Sequence, residues 1–381
     1  MNYLLSLVPY IPKVLFIIFL FCFLVQLGFL VIQQSRLATY QLPDVDLSIV
    51  NLPISVVISA RDEAENLTRY LPAILDQDYP EFEVVVINDC SVDKSERILL
   101  NYSESHPHLK LVTVTEHPRF KTGKKFALTM GIKAAKHEHL LFTDADCEPA
   151  SRQWIARMAS AFTTETQIVL GYSPYIKEGG LLNAFTRFET LRTGISYLSA
   201  AIGQKAYMGI GRNLAYTKSL FFASKGFASH LHVLAGDDDL FVNSNATPGN
   251  TAIEIHSDAF MFTESKHSLA SYIRQKKRHM GVGKLYKNKH RRMLSFDAIT
   301  GFLFYITLGF SLYYREQTLI FVIAGAYMLR LIVQAIVYTK CAKKLTGNSL
   351  IWFLPFYDLL HNLYLIVFGL IGTFIKTTKW K

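Results

Sequence analysis

Val56-Val57-Ile58-Ser59-Ala60-Arg61-Asp62-Glu63-Ala64-Glu65-Asn66-Leu67 begins as β-branched and small apolar residues, turns polar at once, and continues at helical spacing. A strand buried on both faces reads as such a continuous run rather than as an alternation. The stretch therefore predicts a strand over 54–59, a polar turn, and a helix over 63–75. The same phrase recurs downstream. Strands are expected over 83–87, 109–114 and 140–143, with helices over 92–100 and 124–136 between them. Strands alternating with helices predict an α/β fold: a mostly parallel sheet with helices on both faces.

In such sheets ligands bind beyond the carboxyl ends of the strands. Polar residues gather at those ends: Ala60, Arg61, Asp62 and Glu63 after the first strand, Asp89 after the second, Asp144 and Asp146 after the fourth. The first strand is not followed by G-x-G-x-x-G, and the chain contains no G-x-x-x-x-G-K-[ST], which excludes the usual dinucleotide and phosphate-loop enzymes.

Working outward, half of the 381 residues are hydrophobic, and they are unevenly spread. Residues 14–32 are an apolar run of 19, roughly 28 Å as a helix, enough to cross a bilayer. A cleaved signal peptide would have a shorter apolar core and a small-x-small site. Apolar segments return at 296–314, 318–338 and 350–375. The last is interrupted by Pro355, Asp358 and His361, so its first half either crosses or lies along the membrane. Four cysteines without C-x-x-C spacing suggest neither a disulfide framework nor a zinc site.

The net charge of +10 is local: nine Lys/Arg and no acid lie between Ser268 and Phe296. A basic run abutting a membrane segment points to anionic lipid headgroups and away from nucleic acid. By the positive-inside rule it puts the intervening domain on the cytoplasmic side. Arg330 and Asp358 then fall at similar depth, and ionisable groups at such depth usually pair; the alternative is Arg330 snorkelling alone. The expected organisation is an anchor and linker over 1–52 with its helix at about 14–32, and a cytoplasmic domain over 53–267. A basic interfacial helix over 268–295 and membrane helices over 296–381 follow.

D-x-D at a strand end can hold a hard divalent cation together with a diphosphate. Asp89 suits a base or ribose, or else caps the helix near Val92. Lys124, after Gly123, meets phosphate or is simply solvated. In Gly236-Asp237-Asp238-Asp239 three adjacent carboxylates repel one another and favour proton acceptance, as a general base for a hydroxyl requires; an acidic helix start is the plainer reading. Gln275 and Arg278 share a helical face, with His279 beside them.

Taken in order, these pieces resemble the membrane-bound branch of the family 2 glycosyltransferases, which includes ceramide glucosyltransferase and the cellulose and hyaluronan synthases. Val86-Ile87-Asn88-Asp89-Cys90-Ser91-Val92-Asp93 and Gly123-Lys124-Lys125-Phe126-Ala127-Leu128 carry the resemblance with the opening stretch, the D-x-D, the acidic triplet and Gln275-Lys276-Lys277-Arg278-His279. It implies a GT-A type nucleotide-sugar domain and inverting transfer from a nucleotide-sugar, UDP-linked, to a lipid or lipid-linked acceptor. Ala60, Arg61, Glu63, Asp89, Lys124 and Asp144 would bind the donor, and Asp146 would hold Mg2+ or Mn2+. Asp238 would be the base, with Asp239 its rival. Gly211, Arg212, Asn213, Asp237, Gln275, Arg278 and His279 would face the diphosphate and acceptor. His279 stands where the family has Trp, and Asp237 where it has Glu. Few membrane segments follow the domain, which favours single transfer over a processive polysaccharide synthase; a non-catalytic scaffold would not need to keep these acids.

Overall fold

The computed structural model describes residues 10–115, 123–233, 235–314 and 317–374. The chain begins with helix α1 (Ile11–Gly28), which continues through a π-turn (Phe29–Gln34) into α2 (Ser35–Thr39). Then come β1 (Ile54–Ala60), α3 (Ala64–Leu75), β2 (Phe82–Asp89), α4 (Ser95–Ser105), β3 (Leu109–Val114), α5 (Lys124–Ala134), β4 (His139–Asp144), β5 (Cys147–Pro149), α6 (Trp154–Ser160) and β6 (Ile168–Leu170). The long α7 (Leu181–Ile202) precedes β7 (Leu214–Thr217), α8 (Lys218–Ala223), α9 (Asp239–Asn245), β8 (Thr251–Ile253) and β9 (Met261–Thr263). Helices α10 (Leu269–Met280), α11 (Asn288–Tyr314), α12 (Gln317–Lys344) and α13 (Leu354–Phe374) complete the chain.

Seven strands form one sheet in the order β3-β2-β1-β4-β7-β6-β8, and β5 pairs with β9 in a second, two-stranded sheet. β3, β2, β1 and β4 are mutually parallel; β7 runs against both β4 and β6, and β8 is parallel to β6. Successive side chains of a strand point to opposite faces. Accordingly Val57, Val85, Ile87 and Phe142 enter one core with α5, α7 and α9, while Val56, Ile58, Val84, Val86 and Leu141 enter the other with α3 and α6. Helix α5 sits close because Gly131 lies against Ile87 and Val57; a Cβ there would come within 2.3 Å of the Ile87 side chain.

Two expectations shift. The helix after β2 starts at Ser95, not near Val92: Lys94 stands at its N-cap, and the preceding Asp93 carboxylate closes a turn by accepting from Ser95 N–H at 2.9 Å. The basic stretch 268–295 is not one helix. It breaks after Met280 into a 3-10 turn (Gly283–Leu285), and the next helix already starts at Asn288.

Among the described residues four helical runs are long and apolar enough to cross a membrane: Ile11–Thr39, Asn288–Ser311, Leu319–Lys344 and Asn348–Leu370. The expected Arg330–Asp358 pair is present at 2.9 Å. It is part of a larger knot, since Arg192 of α7 reaches the other Asp358 oxygen at 2.8 Å, joined by Gln334 at 2.8 Å and Tyr305 at 2.6 Å. Helix α7 thus joins the sheet domain to these apolar helices. At one end the Tyr197 hydroxyl donates to the Gly171 carbonyl at 2.6 Å, and in its middle Phe188 stacks on Tyr357 at 5.1 Å. Helix α13 keeps to that surface along its length, as Tyr364 meets Phe185 and clusters with Tyr272 of α10 and Phe368.

Candidate active site

Parallel order brings the carboxyl ends of β1, β2 and β4 to one edge, and the loops there are stitched together before any ligand arrives. Asp62, with φ +55°, accepts from Val92 N–H at 2.8 Å and offers its own N–H to Ser91 Oγ at 3.0 Å. Glu63 N–H donates to Ser95 Oγ at 2.9 Å, and Ala64 N–H to the Asp93 carboxylate at 3.0 Å. These bonds fix the positions of Ala60, Arg61 and Glu63 relative to Asp89, which ends β2 and is buried.

Beside them, Lys124 opens α5 and spans two carboxylates, Asp144 at 2.9 Å and Asp237 at 3.1 Å. Burial works against its charge, but Asp144, Asp237 and Asp238 outweigh it and hold the ammonium well above its ordinary value. Lys124, Asp144, Gly211, Asp237 and Asp238 line one cleft, floored by Phe142, Leu214 and Tyr216.

The acidic triplet is placed by Gly236, whose φ of +88° turns the chain into α9. Asp238 accepts from Gly211 N–H at 2.7 Å and Asp239 N–H at 2.8 Å. Gly211 is needed there: a Cβ on it would sit 3.1 Å from the Asp238 oxygen. Burial and then the charge of Asp237 raise Asp238 above the usual carboxylate range, against Lys124 and the two N–H donors. Asp239 is raised further by burial and by Asp238, but it is turned away, taking the Tyr286 hydroxyl at 2.7 Å and Leu240 N–H at 2.8 Å. Only Asp237 and Asp238 of the three line the cleft.

Asp146, the second acid of the D-x-D, is short of donors. Among the described residues a long contact from the Cys147 thiol, 3.5 Å, is its side-chain hydrogen bond. Burial and the neighbouring Asp144 push it up, while Arg212 pulls it down. A carboxylate withdrawn from water yet short of donors fits a cation. Arg212 is held over the Tyr175 ring at 4.7 Å.

Asn213 departs from expectation. It is fully buried; its Oδ1 accepts from Trp154 Nε1 at 3.0 Å, and its Nδ2 donates to the Tyr172 and Ala259 carbonyls at 2.9 and 2.8 Å. Its amide is spent on the fold, and nothing is left to face an acceptor. Gln275 is half-buried on α10, whereas the side chains of Arg278 and His279 lie outside the described residues. Two lysines that look solvated in the sequence are buried. Lys276 pairs with Glu189 of α7 and so docks α10. Lys125 donates to the carbonyls of His230, Val233 and Ala235 at 2.8, 2.9 and 2.8 Å.

Residues 55–222 match the family model described as glycosyl transferase family 2. Over 112 residues the chain is 31% identical to glycosyltransferase AglE of Haloferax volcanii, covering 29% of this chain and 35% of that one. Over 93 residues it is 33% identical to a poly-beta-1,6-N-acetyl-D-glucosamine synthase of Staphylococcus epidermidis, covering 24% of this chain and 21% of that one. The chain therefore spans about a third or less of the length of these curated relatives. Among solved structures, the mannosyltransferase PcManGT of Pyrobaculum calidifontis, in complex with GDP-Man and Mn2+, superposes with a TM-score of 0.57 at 18% identity. That match covers 92% of this chain and 99% of the other, and the likeness is one of fold: the sheet domain is of the GT-A type.

Proposed function

We propose, from the premise that residues 55–222 are a family 2 glycosyl transferase domain, that the chain moves a sugar from a nucleoside-diphosphate sugar to a hydroxyl of a lipid or lipid-linked acceptor, with inversion, at the cytoplasmic membrane face. The observation that carries this reading is the cleft at the carboxyl edge of the sheet, where Lys124 links Asp144 to Asp237 beside Asp238. The same domain rests through α7 on helices long and apolar enough to cross a membrane, so a membrane-borne acceptor is within reach.

In the proposed mechanism Asp89 and Arg61 face the nucleoside, Lys124 the diphosphate and Asp144 the ribose side. Asp146 would hold Mg2+ or Mn2+; the bound cation supplies charge neutralisation on the departing diphosphate. PcManGT was solved with Mn2+ and a nucleotide sugar, which supports a divalent requirement. Asp238 takes the proton of the acceptor hydroxyl. The freed oxygen bonds to the anomeric carbon on the face opposite the diphosphate, and the electron pair of the breaking C–O bond leaves with the nucleoside diphosphate. Asp238 suits this role because burial and Asp237 raise its proton affinity while Gly211 N–H fixes its direction. Gln275, Arg278 and His279 would close the site from α10.

The nine basic residues between Ser268 and Phe296 support the cytoplasmic placement of the domain. The test is incorporation of label from a panel of UDP- and GDP-sugars into a total lipid extract by the purified protein, with and without Mn2+. Metal-dependent, lipid-extractable label is the expected product. A large, lipid-insoluble product would replace this reading with a polysaccharide synthase, and no incorporation from any donor would sink it.

A further inference from the structure

Two adjacent lysines open α5, and they face different things. Lys124 reaches the carboxylates of the cleft. Lys125 is 4% exposed and reaches no carboxylate; its ammonium gives hydrogen bonds to three main-chain carbonyls of one loop, His230 at 2.8 Å, Val233 at 2.9 Å and Ala235 at 2.8 Å. An ammonium has three N–H donors and no acceptor, so this arrangement uses its full capacity. Upstream, Phe227 anchors the segment in the core against Phe221 and Phe241. Apart from a one-turn 3-10 helix (Ala228–His230), residues between α8 and α9 form no helix or strand among the described residues. Three residues after the Val233 carbonyl comes Gly236, and then the acidic triplet.

We infer that Lys125 is a positioning residue: it pins the 230–235 loop to the start of α5 and thereby sets where Asp237 and Asp238 stand against Lys124 and Asp144. The physical argument is one of shared origin. Both lysines leave the first turn of the same helix, so the metal-and-diphosphate side of the cleft and the base side are referenced to one rigid element. Removing the ammonium takes a donor from three carbonyls, of which His230 keeps the Val233 N–H at 3.1 Å, and a polar group that loses its partner away from water drives local rearrangement. The Asp238 carboxylate would then lose its aim at the acceptor while Lys124, Asp144 and Asp146 keep theirs. A misplacement of about 1 Å in a catalytic group costs on the order of 10²-fold in rate. This inference rests on the reading of Asp238 as the base.

The experiment uses the full chain in detergent or nanodiscs and compares wild type, Lys125→Met, Lys125→Gln and Asp238→Asn. Nucleoside-diphosphate affinity is measured with Mn2+ by calorimetry, donor KM and kcat by label incorporation, and main-chain amide exchange by mass spectrometry. For Lys125→Met the expected result is a kcat lower by about 10- to 10²-fold with affinity within twofold of wild type. Faster exchange should be confined to about residues 230–240. Lys125→Gln, which keeps a shorter N–H donor, should fall between. A wild-type kcat in both variants overturns the inference, as does loss of nucleotide binding together with kcat. Failure of both variants to fold also overturns it, because Lys125 would then hold the domain rather than the loop. A fully active Asp238→Asn sinks the base assignment instead, and the exchange data still report whether Lys125 holds the loop.

Discussion

Asp238 and Asp358 both have two bonded oxygens, yet they keep opposite company. Asp358 lies where α13 meets α7 and α12, with no exposure, and it is served by two arginines, a glutamine and a tyrosine. In the cleft the proportions reverse: Asp144 and Asp237 share Lys124, and no cation lies within ion-pair distance of Asp238 among the described residues. A carboxylate with more cations than it needs is locked, and its contribution is geometric. Asp238 and Asp146, with fewer, are held at raised proton affinity and attract what is missing, a proton or a divalent ion. The contrast separates what joins the two halves of the molecule from what does its chemistry.

The largest effect should come from the cation-poor side. Asp238→Asn keeps the size and one of the two N–H contacts but removes the base, and kcat should fall by about 10²- to 10⁴-fold with nucleotide affinity retained. Comparable turnover in Asp239→Asn and Asp238→Asn would erase the distinction drawn between them. Next comes the cation-rich side. Asp358→Leu leaves two buried arginines unpaired and should cost about 3–5 kcal/mol, read as a fall in the thermal midpoint of the detergent-solubilised chain. Adding Arg330→Met should return part of that loss, since one stranded charge goes with it. A smaller change is expected at Lys124. Lys124→Met removes charge-assisted bonds worth about 1.5–3 kcal/mol, roughly 10- to 10²-fold in diphosphate affinity, with little change in midpoint.

The smallest effect is on stability and has the opposite sign. Asp239 is held well above its ordinary value of 3.8, so between that value and the raised one the folded chain binds a proton that the unfolded chain has released. Stability therefore falls as pH rises through this window. Asp239→Asn, still able to accept from Tyr286, should gain on the order of 1 kcal/mol at pH 7. The gain should vanish below about pH 4, which unfolding midpoints against pH would show.

The lesson about legibility follows the same division. The strands, their carboxyl-end acids and the Arg330–Asp358 pair could be read along the chain, because each depends on local pattern or on counting residues into a membrane. Lys125, Lys276 and Arg192 could not. Each sits on a helix where a charge ordinarily faces water, and each finds its partner 87 or more residues away. Glu189 and Arg192, three apart and so on one face of α7, gave the available signal. Asn213 misled for a related reason, since a polar residue beside Gly211 and Arg212 resembles a binding loop until Trp154 and two carbonyls are seen to take its amide. The start of α4 was equally hidden, because the turn that Asp93 closes on Ser95 N–H delays the helix past the apolar Val92.

The most direct test of the central claim is a titration of nucleoside diphosphate against the full chain, with and without Mn2+, in wild type, Asp146→Ala and Asp238→Asn. The account predicts metal-dependent binding in wild type and in Asp238→Asn, its loss in Asp146→Ala, and turnover in wild type alone. Binding that ignores both the metal and Asp146, or turnover that survives Asp238→Asn, would contradict it.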